Sequence, residues 1–426
     1  MTASWCAPPC AVRPFAAVGA ALCALLCSCN VTPASTTGGA DLPSRGDCPR
    51  GIAVVSSDFQ SSEVALLGPS GDVKSAAFLS SASAPASGLA APFSGDLVVA
   101  PSRSRPGELV LVDRFGTDVL TFADTKTGVV RAQLPIGTGF EANPQNYLEL
   151  SEHLAFVPRL AENTAPGREP FDSGSDLLVI DPSVPSITGS VPMPRKDGFL
   201  PNPVAVTRLG DDLLVTLRHE TADFSDMADS ELVAFGSADQ NLRYRLPLAG
   251  LKNCGRVEQS ASGALLAVAC SAFIDRRGAV ADASASALVL LDPSQTPPQE
   301  LRRFAAQELV QGPIQAGVEF ASERTLLVKT QTAQGGALDN QLFSVDVETG
   351  ASTLLATAAP AQGGQGFGIA LGDMHCDAAC GDPCLVADAS RGVLLRFRVQ
   401  SNKLAPQAEL VIHGAGLPPT ALTPFW

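Results

Sequence analysis

The chain has 426 residues, 45% hydrophobic and 17% charged, with a formal net charge of −14 and a pI near 4.7. That acidity argues against a nucleic-acid partner, whose phosphates demand a basic face, and against electrostatic attraction to an anionic lipid surface. The apolar stretches are short, typically four to seven residues between Gly, Pro, Ser and Asp, which is the pattern of strands.

Arg13 is the sole charge before the twelve-residue apolar run Phe15–Leu26, too short to span a bilayer and the length of a signal-peptide core. The run ends in Leu26-Cys27-Ser28-Cys29, which resembles a bacterial lipobox: Leu at −3, a small residue at −1, then the acylated Cys. The resemblance implies a lipoprotein signal peptide over residues 1–28 and a membrane anchor on Cys29. Cys27 fits less well as acceptor, because bulky Leu26 would precede it. Asn30 replaces the Asp that favours inner-membrane retention in that pattern, so the expected address is the outer membrane, periplasmic or surface-facing. The competing reading is an ordinary cleaved signal without lipid. Residues 29–47 are rich in Ser, Thr, Gly and Pro and read as a flexible tether with an extended reach of roughly 60 Å.

Residues 48–426 carry an internal repeat. The unit DVLTFADTKTG, Asp118–Gly128, followed by Val129–Leu134, reads as strand, tight turn and returning strand. It recurs with turn markers Gly68, Asp124, Asp181, Gly236, Asp292, Asp346 and Arg398, at a mean interval of 55 residues. Each repeat supplies four strands, a to d. Repeat three offers Tyr147–Leu150, His153–Val157, Asp176–Ile180 and Ile187–Val191. Repeat two is ambiguous, because Leu109–Asp113 also fits a third strand. Repeat one has three strands and nothing but tether ahead of them. Its missing inner strand is matched at the far end, where Pro419–Thr423, PTALT, parallels Pro203–Thr207, PVAVT. The expectation is an all-β, seven-bladed β-propeller of four-stranded blades, closed by a C-terminal strand that completes the first blade.

The units VLTFADTKTGVV and LFSVDVETGAS resemble the YVTN-type β-propeller repeats of bacterial exported proteins. The resemblance spans residues 50–426 and implies the fold. On function it is nearly silent, since that family holds binding and scaffold proteins and sits close to lactonase and quinoprotein enzymes. These repeats are longer than the usual forty-odd residues, mainly in the b–c and d–a connections.

Six cysteines remain in the body: Cys48, Cys254, Cys270, Cys376, Cys380 and Cys384. An even count in an exported chain favours three disulfides. Cys254 and Cys270 flank a hairpin and are expected to pair; Cys48 is expected to pair with one of the other three. His375-Cys376-x3-Cys380-x3-Cys384 fits neither zinc-knuckle nor haem-attachment spacing, so no metal or cofactor is assigned.

Both b–c and d–a connections of a propeller emerge on one face, around the mouth of the central channel, where function concentrates. Aligned b strands ELVLVDR, HLAFVPR and DLLVTLR place Arg114, Arg159 and Arg218 at one register in three consecutive blades, with Arg168 and His219 nearby. An arc of guanidinium groups suits carboxylates; the bland alternative is pairing with neighbours such as Asp118, Glu162 or Asp223. Asp223, Asp226 and Asp229 form a weak calcium alternative, spaced by three and lacking the central Gly of an EF-type loop. No nucleophile elbow accompanies the four histidines. The expected role is a lipid-anchored envelope module binding a protein, peptide or glycan, the alternative a lactonase- or hydrolase-type enzyme at the channel mouth.

Overall fold

A computed structural model describes residues 48–83, 87–102, 104–273, 280–330, 340–358, 370–377, 380–381, 383–400, 402–412, 414 and 416–426. The signal peptide, the tether, Cys29 and His413 lie outside the described residues.

Seven antiparallel sheets form a ring, a seven-bladed β-propeller. From the channel outward, blade 1 is Pro419–Phe425, Gly51–Ser57, Ser62–Leu67 and Val73–Ser80. The inner strands of blades 2 to 7 are Leu97–Pro101, Leu148–Ser151, Pro203–Leu209, Glu258–Gln259, Ile314–Ser322 and Leu371–His375. Glu108–Asp113 is the second strand of blade 2, which settles the ambiguity there. In blade 7 the third strand runs on to Gln400, so Arg398 lies inside it and the turn falls later than the repeat spacing placed it. The outer edge of that blade is split between Lys403–Pro406 and Leu410–Val411.

The second and third strands of most blades are buried over most of their length, because each blade is covered on both faces. Ala53 and Val55 pack into a core shared with blade 2, through Leu109 and Leu111. The intervening Ile52 and Val54 pack the other way, against Leu385, Ala387 and Leu394 of blade 7. Such strands read as continuous apolar runs rather than alternating ones. Among the described residues the buried apolar side chains form seven such clusters, one at each junction between neighbouring blades. Fully burying one Val or Leu contributes roughly 1.5–3 kcal/mol, so these junctions are the main source of stability.

The turns between third and fourth strands explain the repeat marker. Asp124 Oδ1 accepts from Lys126 N, Thr127 N and Thr127 Oγ1, at 3.0, 2.8 and 2.9 Å. Asp346 does the same for Glu348 N, Thr349 N and Thr349 Oγ1. Each turn then needs a left-handed residue, supplied by Gly128 and Gly350.

The C-terminal strand closes the ring. Ala53, Val54 and Val55 pair with Thr423, Leu422 and Ala421, and Arg50 N donates to Phe425 O at 2.7 Å. Phe425 lies over Gly51, where an added Cβ would come within 2.1 Å of Leu67 O and 2.6 Å of the Phe425 ring. Three disulfides complete the body: Cys48–Cys380, Cys254–Cys270 and Cys376–Cys384.

Candidate functional site

Strands run up and down within each blade, so the b–c and d–a connections share one face and the a–b and c–d connections the other. Arg114, Arg159 and Arg218 all belong to the first of these faces, yet equal register does not give them equal surroundings. The b strand of blade 3, Leu154–Glu162, continues past Arg159, and the ladder sets Asp176 directly across from it. Arg159 is fully buried. Its guanidinium bonds Asp176 at 2.8 and 2.7 Å, Ile136 O, Thr138 Oγ1 at 2.6 Å and Phe171 O at 2.6 Å. No donor is left over for a ligand, and neither Glu162 nor Asp223 is its partner.

The b strands of blades 2 and 4 stop at Asp113 and Leu217, before their arginines. Arg114 turns to Asp96, in the d–a connection entering its own blade, and donates through Nε at 3.0 Å and through Nη2. Arg218 is half-buried, and among the described residues its side chain makes no hydrogen bond or ion pair; its Nε is closed off without a partner. Burial pulls the Arg218 pKa down, the charge on Glu220 opposes that, and the charge on Arg114 adds to it. The two guanidinium groups, on blades 2 and 4, therefore lie within electrostatic reach of one another on the loop-bearing face. Glu220 is raised by burial, with Arg218 opposing, and its backbone N–H is fixed by Asn202 Oδ1 at 3.0 Å.

Arg168 is exposed, and its N–H donates to Asp172 Oδ2 at 2.8 Å. His219 is fully buried, with Nε2 3.2 Å from Glu231 Oε2, and so presents no open surface to a ligand. Burial would raise the Glu231 carboxyl, but hydrogen bonds from His219 and Arg245 hold it at about 2. Asp223 accepts from Thr221 Oγ1 and from Ser225 N and Oγ, Asp226 from Met227 N and Asp229 from Gly250 N. Among the described residues no group of three or more His, Cys, Asp or Glu is placed to hold a metal ion.

A second cluster lines the channel toward the opposite face, on the inner walls of blades 5, 6 and 7. Arg256 Nη2 lies 2.9 Å from Glu258 Oε2 and 3.9 Å from Glu319 Oε2. His375 Nδ1 lies 3.5 Å from Glu319 Oε1, which also accepts the Cys376 N–H at 2.8 Å. More than half of the Arg256 side-chain surface is open. Burial pushes Glu258 up to about 7, with Arg256 opposing and Glu319 reinforcing the rise. His375 Nε2 is closed off without a hydrogen bond. Of these residues His375 stood out in the sequence, beside the cysteines. Glu319 was legible as an acid within the apolar run VEFA; Arg256 carried no signal of its own.

No family model matches the chain, and no curated protein matches it. Solved structures do resemble it. A Lactobacillus plantarum protein matches with a TM-score of 0.56 and 12% identity, over 88% of this chain and 98% of that one. Candidate 6-phosphogluconolactonases from Bacteroides uniformis and Bacteroides fragilis match with TM-scores of 0.55 and 0.53, at 10% and 13% identity. They cover 88% and 89% of this chain, and 99% of each of their own. At such identities the likeness shows the fold alone.

Proposed function

We propose that this chain is a cell-envelope binding module of the YVTN-propeller kind, anchored by lipid on Cys29, whose ligand enters the loop-bearing mouth of the channel. The observation that supports the reading is the Arg218 guanidinium, on the loop-bearing face and without an ion-pair partner among the described residues, in a protein of net charge −14. An enclosed, unneutralised cation is costly, and a ligand carboxylate would relieve it through charge-assisted hydrogen bonds. Arg114, already shared with Asp96, adds a second positive edge. Titration of isotope-labelled protein with succinate should shift the Arg218 side-chain signal, and Arg218→Gln should abolish binding while the chain stays folded. An unshifted Arg218 signal at saturating succinate would sink the anion site. The anchor is checked by labelled palmitate, which should enter the wild type and not Cys29→Ala.

One observation favours the alternative of a hydrolase-type enzyme. Glu258 titrates near 7 beside Arg256 and Glu319 in the channel, as a general acid–base group would. Hydrolysis of ester or lactone probes that is lost in Glu258→Gln would establish it, and absence of turnover would leave the binding reading alone.

A further inference from the structure

The b–c connections of four consecutive blades each present one exposed phenylalanine on the face that carries Arg218. Phe59 follows Gly51–Ser57 in blade 1, and Phe115 follows Glu108–Asp113 in blade 2. Phe171 lies between Leu154–Glu162 and Gly174–Asp181 in blade 3, and Phe224 between Asp212–Leu217 and Glu231–Gly236 in blade 4. Their exposures are 46%, 62%, 38% and 48%. Single exposed apolar residues are ordinary on a protein surface. Four on the b–c connections of four neighbouring blades are a patterned surface, and they span the blades that carry Arg114 and Arg218.

These rings do not hang on slack loops. Phe59 N donates to Ser57 Oγ at 2.9 Å, and Phe59 bridges to Gly95, where an added Cβ would meet the Phe59 backbone at 2.0 Å. Arg114, next to Phe115, is fixed by Asp96. Phe171 O is held by Arg159 Nη2, and the adjoining Asp172 caps the N–H groups of Gly167, Arg168 and Glu169. Phe224 N donates to Thr221 O, inside the network of Thr221, Asp223 and Ser225. Phe59, Phe171 and Phe224 have φ of 64°, 59° and 55°, a left-handed backbone that bulky residues rarely adopt. Rings presented on ordered loops lose little freedom on contact, which is what an interface anchor requires.

The polar atoms beside the rings decide between occupants. Stacked sugars need directional hydrogen bonds around the stacking ring, and here those groups are engaged within the protein. Asp58 accepts from Gln60 N and Ser61 N, Asp172 from three backbone N–H groups, and Asp223 from Thr221 and Ser225. Phenylalanine brings no hydroxyl or N–H of its own. What this face offers is apolar contact around Arg218 and the exposed Arg168, neither with an ion-pair partner among the described residues. We propose that it docks a protein partner, through a segment whose apolar side chains rest on Phe59, Phe115, Phe171 and Phe224 while a carboxylate reaches Arg218. This narrows the mouth-binding reading and rests on it.

The test uses the mature chain against a phage-displayed random peptide library, with selected peptides resynthesised and titrated by fluorescence anisotropy. Selected peptides should combine aromatic or aliphatic residues with Asp or Glu. Replacing the four rings by Ser should weaken them by about tenfold or more. Arg218→Gln should also weaken them and flatten the salt dependence. If the four-ring variant melts early, Phe115→Ser and Phe224→Ser singly serve instead, each with a smaller loss. Selected peptides that bind the ring variants as well as the wild type would overturn the docking face. A glycan array read with the same variants separates the two levels. A glycan whose binding needs Arg218 and ignores the rings overturns the protein partner and leaves the mouth as a binding site. If neither library nor array yields an Arg218-dependent binder, both readings fall together.

Discussion

Asp176 stands directly across the ladder from Arg159, and the two close a forked ion pair in which Nε meets Oδ1 at 2.8 Å and Nη2 meets Oδ2 at 2.7 Å. Both side chains are almost wholly excluded from solvent. Taking one partner from such a pair strands a buried charge and typically costs about 3–5 kcal/mol. Arg159→Met should therefore unfold at clearly lower urea, while the double variant Arg159→Met/Asp176→Leu should recover part of the loss. Arg218→Gln should cost clearly less than Arg159→Met, since it breaks no hydrogen-bonded pair and removes only the charge that opposes the burial of Glu220. Equal destabilisation by Arg218→Gln and Arg159→Met would contradict the division of roles between the two arginines.

The contrast between those arginines also marks how far the sequence could be read. Register along a b strand is legible from the apolar pattern, and it placed Arg114, Arg159 and Arg218 on one face. What each guanidinium meets depends on where the ladder ends, and only the blade-3 strand runs on to Glu162. The seven-bladed ring was legible because Asp-led turns recur and because PTALT at the C-terminus repeats the blade-4 inner strand. The blade-7 turn was misplaced at Arg398 because the third strand of that blade extends to Gln400. The channel cluster joins Arg256, Glu319 and His375 across three blades. Alignment of one inner strand with the next is fixed by packing, and no local pattern reports it.

Deleting Pro419–Trp426 removes the inner strand of blade 1 and leaves Gly51–Ser57 with an unpaired edge. Because Ala421 and Phe425 belong to the core shared by blades 1 and 2, and Leu422 to the core shared by blades 7 and 1, the loss reaches both junctions. The truncated chain should melt far below full length and expose apolar dye-binding surface. A truncated chain that melts like the intact one would refute closure by the C-terminal strand.

Glu258 provides the pH test. Burial first, and repulsion from Glu319 after it, hold its folded-state pKa at about 7 rather than the ordinary 4.5. The native state therefore prefers the protonated carboxyl: its contribution is complete below about 4.5 and is lost as pH rises through 7. Glu258→Gln mimics the neutral form at every pH. The stability of the variant relative to wild type should rise between pH 4.5 and 7.5 by on the order of 1–3 kcal/mol. A stability difference that stays flat across that window would mean that Glu258 ionises normally.

The three disulfides should differ in weight because they close loops of different length. Cys48–Cys380 spans 332 residues, Cys254–Cys270 spans 16 and Cys376–Cys384 spans 8. Cross-linking restricts the unfolded chain more as the enclosed loop grows, with typical contributions of about 2–4 kcal/mol and a range up to about 5. Cys48–Cys380 also ties the first described residue to blade 7, so it acts at the same junction as the C-terminal strand. Paired Cys→Ser replacements should therefore lower the urea midpoint most for Cys48/Cys380 and least for Cys376/Cys384. The same order should appear in the loss of protection when the wild type is unfolded under reducing conditions. If Cys376/Cys384→Ser proves the costliest pair, the dominant effect is local: the Cys376 N–H holds Glu319, and loss of that disulfide would then be disordering the channel wall rather than freeing the unfolded chain.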